Sequence, residues 1–366
     1  MPVYAYVGTY TTENYKNNRN AHGKGIYVFR IEENGTWIQV QIAEGLNPAV
    51  LAFGRNMDYL YCVNTNSGNC SAYQRDKQTG LLTYLNSEKT PGENVMVMSV
   101  SPSGDCLISA DKSGLVACLP IGEDGKLKKE FGGFTLPGQK GPLNEKIQPH
   151  SRPHHVPFSP DGRYILIADK GLDLVHSYRI NFETKHFEEI QHLPFRPASC
   201  PRHISFHPNG HFAYVNTEYT STVVACHYNP ENGTLAPFQI VPSIPDDYVE
   251  IKNTSSEIMV GNRGKNLYVS NRGMNSIGVF SVNQEDGRLS PIQWASTKGV
   301  KPRFFTIEPG EKYLYACNQM SDTIVEFEID LLTGCLTQTG NVIETPVPVW
   351  ILFSGSVPCH KQSTLG

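Results

Sequence analysis

The chain repeats one pattern of apolar and polar positions about every 47 residues. Each copy has a short apolar run, a turn containing Pro or Gly, and a second apolar run that ends in a polar or charged residue. HHVPFSPDGRYILIAD at 154–169 is one example. The last apolar residues before the six turns are Phe53, Val100, Phe158, Phe206, Val260 and Ile307, spaced by 47, 58, 48, 54 and 47 residues. A period of this length with several strands per copy is typical of a β-propeller blade.

Each copy continues with two further predicted strands. A β-branched and aromatic run follows the second strand, as in SIGVFSV at 276–282, and a turn such as EDGRL at 285–289 precedes a fourth short strand. Asn-Gly and Asp-Gly pairs suit these hairpins because the turn requires positive φ. No segment has the pattern of a long amphipathic helix. The sequence therefore predicts an all-β fold with four antiparallel strands per blade.

The two chain ends supply the halves of a seventh copy. VWILF at 349–353 resembles a first strand without its partner, and YAYVGTY at 4–10 resembles a second strand without its predecessor. Pairing of 347–353 with 4–10 would complete a seven-bladed β-propeller and remove the sheet edge of an open ring. We expect residues 1–366 to form a single domain, because a closed ring cannot be divided between blades.

Two segments depart from the period. The extra residues of the 58-residue spacing fall within 134–153, and a second long loop covers 12–24. For each, a simple surface insertion and a lid over the mouth of the ring are both open interpretations, since long loops are tolerated and are often functional.

Composition argues against several classes of function. The net charge of −4 and the isoelectric point near 6.3 disfavour nucleic-acid binding through a broad basic face. No apolar stretch is long enough to span a membrane, and the N-terminus has no signal-peptide features, so we expect a cytoplasmic protein without membrane contact. Nine cysteines without a C-x-x-C pair predict buried free thiols, among them Cys62, Cys106, Cys226 and Cys317.

The repeat also places candidate functional residues. When the last apolar residue before each turn is numbered 0, the first strand starts near −4 and the antiparallel second strand ends near +12. Both positions should lie at the same mouth of the central channel. Large ionisable residues occupy them in four consecutive copies: His154, Arg202, Glu218, Arg272 and Arg303.

A neighbouring position has a different character. Position +11 carries Asn or Asp in nearly every copy: Asn64, Asp111, Asp169, Asn271 and Asn318. Such repetition indicates a structural role, in which the side chain caps a strand end or bonds turn backbone. The charges that break the repeat indicate function instead, because like charges on one rim repel each other unless a ligand compensates them.

The residue types at the mouth suggest a chemistry. Arginines match the oxygens of a carboxylate or phosphate, so the funnel suits a small anionic molecule. Histidine and glutamate supply a base and an acid for hydrolysis or for proton abstraction beside a carbonyl. No G-x-S-x-G, H-E-x-x-H or P-loop motif is present, and no metal ligands lie in register. We therefore expect no metal and no other cofactor.

These blocks resemble the seven-bladed lactonase family, which includes propeller-type 6-phosphogluconolactonases and fungal 3-carboxy-cis,cis-muconate lactonizing enzymes. The resemblance covers essentially the whole chain and rests on HHVPFSPDGRYILIAD, PRHISFHPNGHFAYVNTE, LYVSNRG, KPRFFTIEPG and the opening YVGTYT. It implies an active site in the central channel, with the family's functional residues at His154, Arg202, Glu218 and Arg272. Many members carry a further histidine where this chain has Arg152, which implies an altered substrate preference.

The expected function is hydrolysis of an anionic sugar lactone such as 6-phosphogluconolactone. Arg202 and Arg272 would polarise the carbonyl, Arg303 and Arg152 would bind the substrate, and His154 or Glu218 would transfer the proton. A carboxymuconate cycloisomerase fits the same residues. A non-catalytic protein-binding propeller is the third interpretation, disfavoured by the absence of W-D dipeptides and by the charge in the funnel. We also expect truncation of the four catalytic candidates to leave thermal stability nearly unchanged, because crowded charge at a functional mouth is destabilising.

Overall fold

The computed structural model describes residues 2–12, 21–249 and 252–358. Within these ranges, 28 strands form seven four-stranded antiparallel sheets, and the inner strands of successive sheets contact each other around a central channel. The predicted seven-bladed β-propeller with four antiparallel strands per blade is confirmed. The one helix in the described ranges is a 3₁₀ turn at Arg55–Met57. It is neither long nor apolar enough to cross a membrane.

Blades 1 to 6 follow the six copies of the repeat, and blade 7 combines the two chain ends. Blade 7 contains β1 (Val3–Thr9), β2 (Gly25–Ile31) and β3 (Trp37–Glu44). Blade 1 contains β4 (Pro48–Phe53), β5 (Tyr59–Asn64), β6 (Asn69–Arg75) and β7 (Leu82–Lys89). Blade 2 contains β8 (Val95–Val100), β9 (Cys106–Asp111), β10 (Leu115–Pro120) and β11 (Phe131–Thr135). Blade 3 contains β12 (Pro153–His155), β13 (Tyr164–Asp169), β14 (Leu174–Asn181) and β15 (His186–Pro194).

The remaining blades have the same order of strands from the channel outwards. Blade 4 contains β16 (Pro201–Phe206), β17 (Phe212–Thr217), β18 (Thr222–Asn229) and β19 (Thr234–Pro242). Blade 5 contains β20 (Thr254–Val260), β21 (Asn266–Arg272), β22 (Ser276–Val282) and β23 (Leu289–Ser296). Blade 6 contains β24 (Pro302–Ile307), β25 (Tyr313–Asn318), β26 (Thr323–Ile329) and β27 (Leu336–Glu344). The inner strand of blade 7 is β28 (Pro348–Phe353).

The ring closes by pairing of the chain ends, as predicted. Strand β28 runs antiparallel to β1, with Ala5 opposite Phe353 and Gly8 opposite Trp350. Ile351 of β28 is fully buried in an apolar cluster that it shares with residues of blades 6 and 7. The C-terminal strand therefore completes blade 7 and fills the seam to blade 6.

A repeated hydrogen bond ties neighbouring blades together. A tyrosine hydroxyl on the second strand of one blade donates to a glycine carbonyl in the outer hairpin of the next, as in Tyr214 to Gly287 at 2.9 Å and Tyr6 to Gly80 at 2.8 Å. Gly287 has φ of +72°, and a Cβ there would lie 2.7 Å from the ring of Phe212. The predicted hairpin glycines therefore serve both the turn and the contact between blades.

The repeated position +11 is structural, as expected. The Asn271 amide donates to the Ser243 carbonyl at 2.8 Å, and the Asn64 amide donates to the Leu46 carbonyl at 2.9 Å. The Asp169 carboxylate accepts backbone N–H groups from Arg152, Gly171 and Leu172 at 2.7, 2.8 and 3.2 Å. These side chains fix the loops that surround the channel mouth.

The first strand of blade 3 is shorter than the repeat predicts. It ends at His155 rather than at Phe158, and pairing resumes only as an isolated bridge between Phe158 and Ile165. Pro157 lies two residues after this end, and a proline has no N–H to donate to a sheet ladder.

The 134–153 insertion packs beside the channel mouth. Gln148 is fully buried, and its amide donates to the Lys170 carbonyl at 3.0 Å. The Gly141 N–H donates to the Gly171 carbonyl at 2.9 Å. The end of the insertion therefore forms part of the wall around the candidate site. The second predicted loop, 12–24, lies mostly outside the described residues.

The cysteines behave as small apolar side chains. In the described part of the chain eight cysteines are free thiols and seven of them are buried, including the four predicted from the strand pattern.

We predict that deleting 347–366 opens the ring and lowers the melting temperature sharply, because β1 loses its partner and the apolar seam to blade 6 becomes exposed. Truncation after Pro358, which keeps β28, is the matched control and should melt like the full chain. Differential scanning calorimetry distinguishes the outcomes. Unchanged melting of the longer deletion would contradict the role of β28 in closure.

Candidate active site

One end of the channel holds a charged cavity with about 710 Å³ of space, part of it open to solvent. Five of the six predicted site residues line it: Arg152, His154, Glu218, Arg272 and Arg303. The sixth, Arg202, lines the adjoining deeper part of the channel together with His154 and Arg303. The structure thus brings all six residues to one region, as the register predicts for five of them and the family resemblance for Arg152.

Glu218 is at the centre of an ion cluster. One carboxylate oxygen, Oε2, lies 2.8 Å from Lys170 Nζ and 3.2 Å from Arg202 Nε. The other, Oε1, lies 3.3 Å from an Arg272 guanidinium nitrogen. All four side chains are nearly inaccessible to solvent, with exposed fractions between 2% and 11%. A single carboxylate therefore holds three buried cations.

This environment fixes the charge of Glu218. Burial alone would raise its pKa, but Lys170, Arg272 and Arg202 more than offset burial and hold the pKa well below its ordinary value. Glu218 is ionised at neutral pH and is a weak base. The geometry thus argues against Glu218 as the proton donor and favours a role in fixing the cations.

The two central arginines are anchored by backbone as well as by Glu218. The Arg202 guanidinium donates to the Ser256 carbonyl, and that of Arg272 donates to the Ser255 carbonyl at 3.2 Å. Burial, together with the charge of Arg272, lowers the pKa of Arg202 to about 9, so the side chain is still cationic at neutral pH. Strand β20 of blade 5, which carries Ser255 and Ser256, therefore helps to fix the positions of both arginines.

His154 is a neutral imidazole at neutral pH. Burial lowers its pKa well below the ordinary value, and the charges of Arg202 and Lys170 lower it further. Its Nδ1 lies 3.3 Å from Nε2 of His203. His154 lines both the outer cavity and the deeper channel, so its ring joins the two.

Arg303 and Arg152 are held by other contacts than those of the Glu218 cluster. The Arg303 guanidinium lies 5.5 Å from the ring centroid of Tyr10, within the range of a cation–π contact. The Arg152 guanidinium donates to the carbonyls of Lys146 and Ile147, at 3.1 and 3.0 Å, in the 134–153 insertion. The insertion therefore positions Arg152 at the cavity.

Sequence reasoning missed three residues that contact this group. Lys170 lies at position +12, the same position as Glu218, but it was not singled out from the other charges of the rim. His203 and Glu257 lie at position −3, which is apolar in the copies of blades 1, 2 and 6. His155, His203 and Glu257 interrupt that apolar position in three consecutive blades, and this interruption is the signal that could have found them.

The site can bind an anion and stabilise developing negative charge. Cationic donors surround the cavity, and a neutral imidazole faces it, so a carbonyl oxygen placed there could be polarised while His154 moves a proton. In the described ranges, no group of three or more His, Cys, Asp or Glu side chains is arranged to hold a metal ion.

Comparison with known proteins agrees with this architecture. Residues 4–353 match the family described as "Lactonase, 7-bladed beta-propeller". The chain belongs to this lactonase family, whose members include lactone-hydrolysing enzymes, and it is therefore classed as a hydrolase.

Individual relatives cover nearly the whole chain. A 6-phosphogluconolactonase of Bacillus subtilis is 35% identical over 353 residues, which are 95% of this chain and 97% of that protein. A 6-phosphogluconolactonase of Formosa agariphila is 30% identical and covers 86% of this chain and 91% of its own length. The structure of the periplasmic gluconolactonase of Pseudomonas aeruginosa superposes with a TM-score of 0.88 at 28% identity, covering 98% of this chain and 100% of that one.

The ion cluster changes the stability expected of a Glu218 variant. We predict that Glu218→Gln lowers the free energy of unfolding by about 3–5 kcal/mol, because it leaves three buried cations without their counter-charge. This differs from the nearly unchanged stability that the sequence suggested. Since the folded-state pKa lies below the ordinary value of 4.5, the stabilisation is present at neutral pH and is lost as the pH falls through the folded-state pKa.

Urea unfolding of Glu218→Gln and of a control, Glu311→Gln, measures this effect. Glu311 is equally buried but pairs with a half-exposed arginine, Arg263, at 3.5 Å, so its loss should cost at most about 1 kcal/mol. Equal stabilities of the two variants at neutral pH would contradict the central role of Glu218.

Proposed function

We propose that the protein hydrolyses an anionic six-carbon sugar lactone, with 6-phosphogluconolactone as the preferred substrate. The observation that carries this proposal is the charge of the cavity. Among the described residues that line it, five are cationic and one is a carboxylate, and the cations are Lys112, Arg152, Lys170, Arg272 and Arg303. Such an excess of positive charge favours a phosphate-bearing ligand.

The roles follow from position. Arg272, supported by the charge of Arg202, would hold the carbonyl oxygen as it becomes negative. His154 would take a proton from the attacking water and return it to the ring oxygen that leaves. Arg152 and Arg303, which also line the cavity, would hold the phosphate. Glu218 would keep the cations in place.

The relatives support the substrate class. Two are named 6-phosphogluconolactonase, and the Pseudomonas aeruginosa neighbour is named a gluconolactonase. Both names refer to a six-carbon aldonic lactone as the substrate. That neighbour is also named periplasmic, so the cytoplasmic setting of this chain stays a prediction.

A substrate panel tests the proposal. Purified protein is assayed with 6-phosphogluconolactone, with unphosphorylated gluconolactone and with carboxymuconate, after subtraction of spontaneous hydrolysis. The expected result is the highest kcat/KM for the phosphorylated lactone. Faster closure of carboxymuconate would replace the proposal by the cycloisomerase, and equal rates for the two sugar lactones would contradict a phosphate subsite.

We predict that Arg272→Ala lowers kcat/KM by about 100-fold or more, because it removes a preorganised donor from the developing oxyanion. Steady-state kinetics with the best substrate of the panel measures the change. The control is Arg263→Ala, which removes a half-exposed arginine outside the cavity and should retain wild-type kinetics. Full activity of Arg272→Ala would remove this residue from the mechanism.

Arg152 tests the phosphate subsite separately. We predict that Arg152→Ala raises KM for the phosphorylated lactone by about tenfold, the effect of losing one charge-assisted hydrogen bond. Its KM for unphosphorylated gluconolactone should not change. An equal rise for both lactones would show that Arg152 acts on the shape of the mouth rather than on the phosphate.

A further inference from the structure

A chain of three ionisable side chains runs from the outer cavity along the deeper part of the channel. Nδ1 of His154 lies 3.3 Å from Nε2 of His203, and Nδ1 of His203 lies 2.8 Å from Oε1 of Glu257. The three residues come from the first strands of blades 3, 4 and 5, so each link crosses from one blade to the next. His203 and Glu257 are each 4% exposed, and both line the deeper part of the channel.

We infer that Glu257, through His203, stores the proton that His154 takes up and returns during hydrolysis. This inference rests on the proposed function and adds Glu257 and His203 to it as positioning residues that act through His154. Glu257 lines the deeper part of the channel and not the outer cavity, where the substrate carbonyl is proposed to bind.

The hydrogen-bond pattern allows two forms of the chain. When Glu257 is ionised, it accepts a hydrogen bond from His203 Nδ1–H. His203 Nε2 then accepts a hydrogen bond from His154 Nδ1–H, and the unprotonated His154 Nε2 can act as a base. When Glu257 is protonated, each hydrogen bond is reversed, and His154 Nε2 carries a proton that it can donate. The protonation of Glu257 therefore decides whether His154 is a base or an acid.

Each proton transferred along this chain in the first step of hydrolysis is returned in the second. As water adds to the lactone carbonyl, its O–H bond breaks and the proton binds His154 Nε2. The Nδ1 proton of His154 then moves to His203 Nε2, and the Nδ1 proton of His203 moves to Glu257. As the ring C–O bond breaks, the same steps in reverse deliver a proton to the departing oxygen. The sum is lactone plus water giving the hydroxy acid.

The electrostatics of the site explain why a store is needed. A histidine cation at His154 or His203 would face several fixed positive charges, and burial holds the pKa of both rings well below the ordinary value. The proton of water thus has no stable place on either ring. A carboxyl group becomes neutral when it accepts the proton, so Glu257 receives it without adding positive charge.

Glu257 is built to hold a proton near neutral pH. Burial raises its pKa to about 7, although His155, Arg202 and Arg303 act in the opposite direction. Its Oε1 also accepts the Ile258 N–H at 3.0 Å. Its Oε2 is buried and has no hydrogen-bond partner among the described residues, which a neutral carboxyl tolerates better than a carboxylate does.

The charged groups that face the chain come from all the neighbouring strands. Those facing His154 are Arg202, Lys170 and Arg303. Those facing His203 are Arg202, Arg303, Glu218 and Arg272. His155 stacks on His203 with ring centroids 4.6 Å apart, and its Nδ1 accepts the Ile204 N–H, so it is not a link of the chain.

The kinetics of Glu257→Gln test whether Glu257 stores the proton that His154 takes up. Glutamine keeps the size of the side chain and can hydrogen-bond His203, but it cannot take up a proton. We expect kcat to fall by about 100-fold, the lower end of what a positioned proton-transfer group contributes, with KM unchanged. The rise of kcat through about pH 7 in the wild type should disappear. The control is Glu326→Gln, a buried glutamate that accepts the Tyr315 hydroxyl at 2.7 Å, and it should keep the wild-type kcat and pH profile.

A substrate-free measurement keeps the two proposals separable. Nitrogen-15 NMR of the resting protein reports the tautomers of His154 and His203 during a pH titration. We expect both rings to stay neutral and to exchange tautomers near pH 7 in the wild type, and to lose that exchange in Glu257→Gln. If the wild type hydrolyses no lactone, the proposed function fails, whereas the titration still decides the proton path. Wild-type kcat in Glu257→Gln, or tautomers that stay fixed across the titration, would overturn the inference.

Discussion

The antiparallel pairing of the first two strands in each blade is the constraint on which the site depends. It brings the start of one strand and the end of the next to the same mouth of the channel, seven times around the ring. Residues from four blades therefore meet although they are far apart in sequence. The closure of β28 on β1 keeps this arrangement, because the seams between blades set the distance from Arg202 to Ser256 and from His203 to Glu257.

Charge balance is the second constraint. The mouth concentrates positive charge, and within the described residues its central cations share one carboxylate, Glu218. The proposed anionic substrate would add negative charge to this environment, so its binding would relieve repulsion between the cations. The same field keeps the nearby imidazoles neutral. In the proposed function, substrate preference and proton transfer would therefore depend on the same electrostatic field.

The sequence predicted the fold almost completely because the repeat is local. Apolar runs, hairpin glycines and the spacing of the copies are read along the chain, and they were enough for the seven blades and for the closure. They also placed His154, Arg202, Glu218, Arg272 and Arg303 at one mouth. They did not reveal that Glu218 is ionised and holds three cations, since its pKa depends on side chains brought together by the packing of several blades. The chain from His154 to Glu257 was missed for the same reason. The early end of β12 was missed because Pro157 was treated as part of the regular repeat.

The proposed function requires that the charged cavity binds the lactone with its carbonyl at Arg272 and its phosphate at Arg152 or Arg303. The most direct measurement is a crystal structure of the complex with a phosphorylated lactam that has the shape of the sugar lactone but resists hydrolysis. We expect the lactam carbonyl oxygen to lie within hydrogen-bond distance of Arg272 and the phosphate to lie against Arg152 or Arg303. His154 Nε2 should lie beside the face that water attacks. A lactam bound outside the channel, or bound with its phosphate at Glu257, would contradict it.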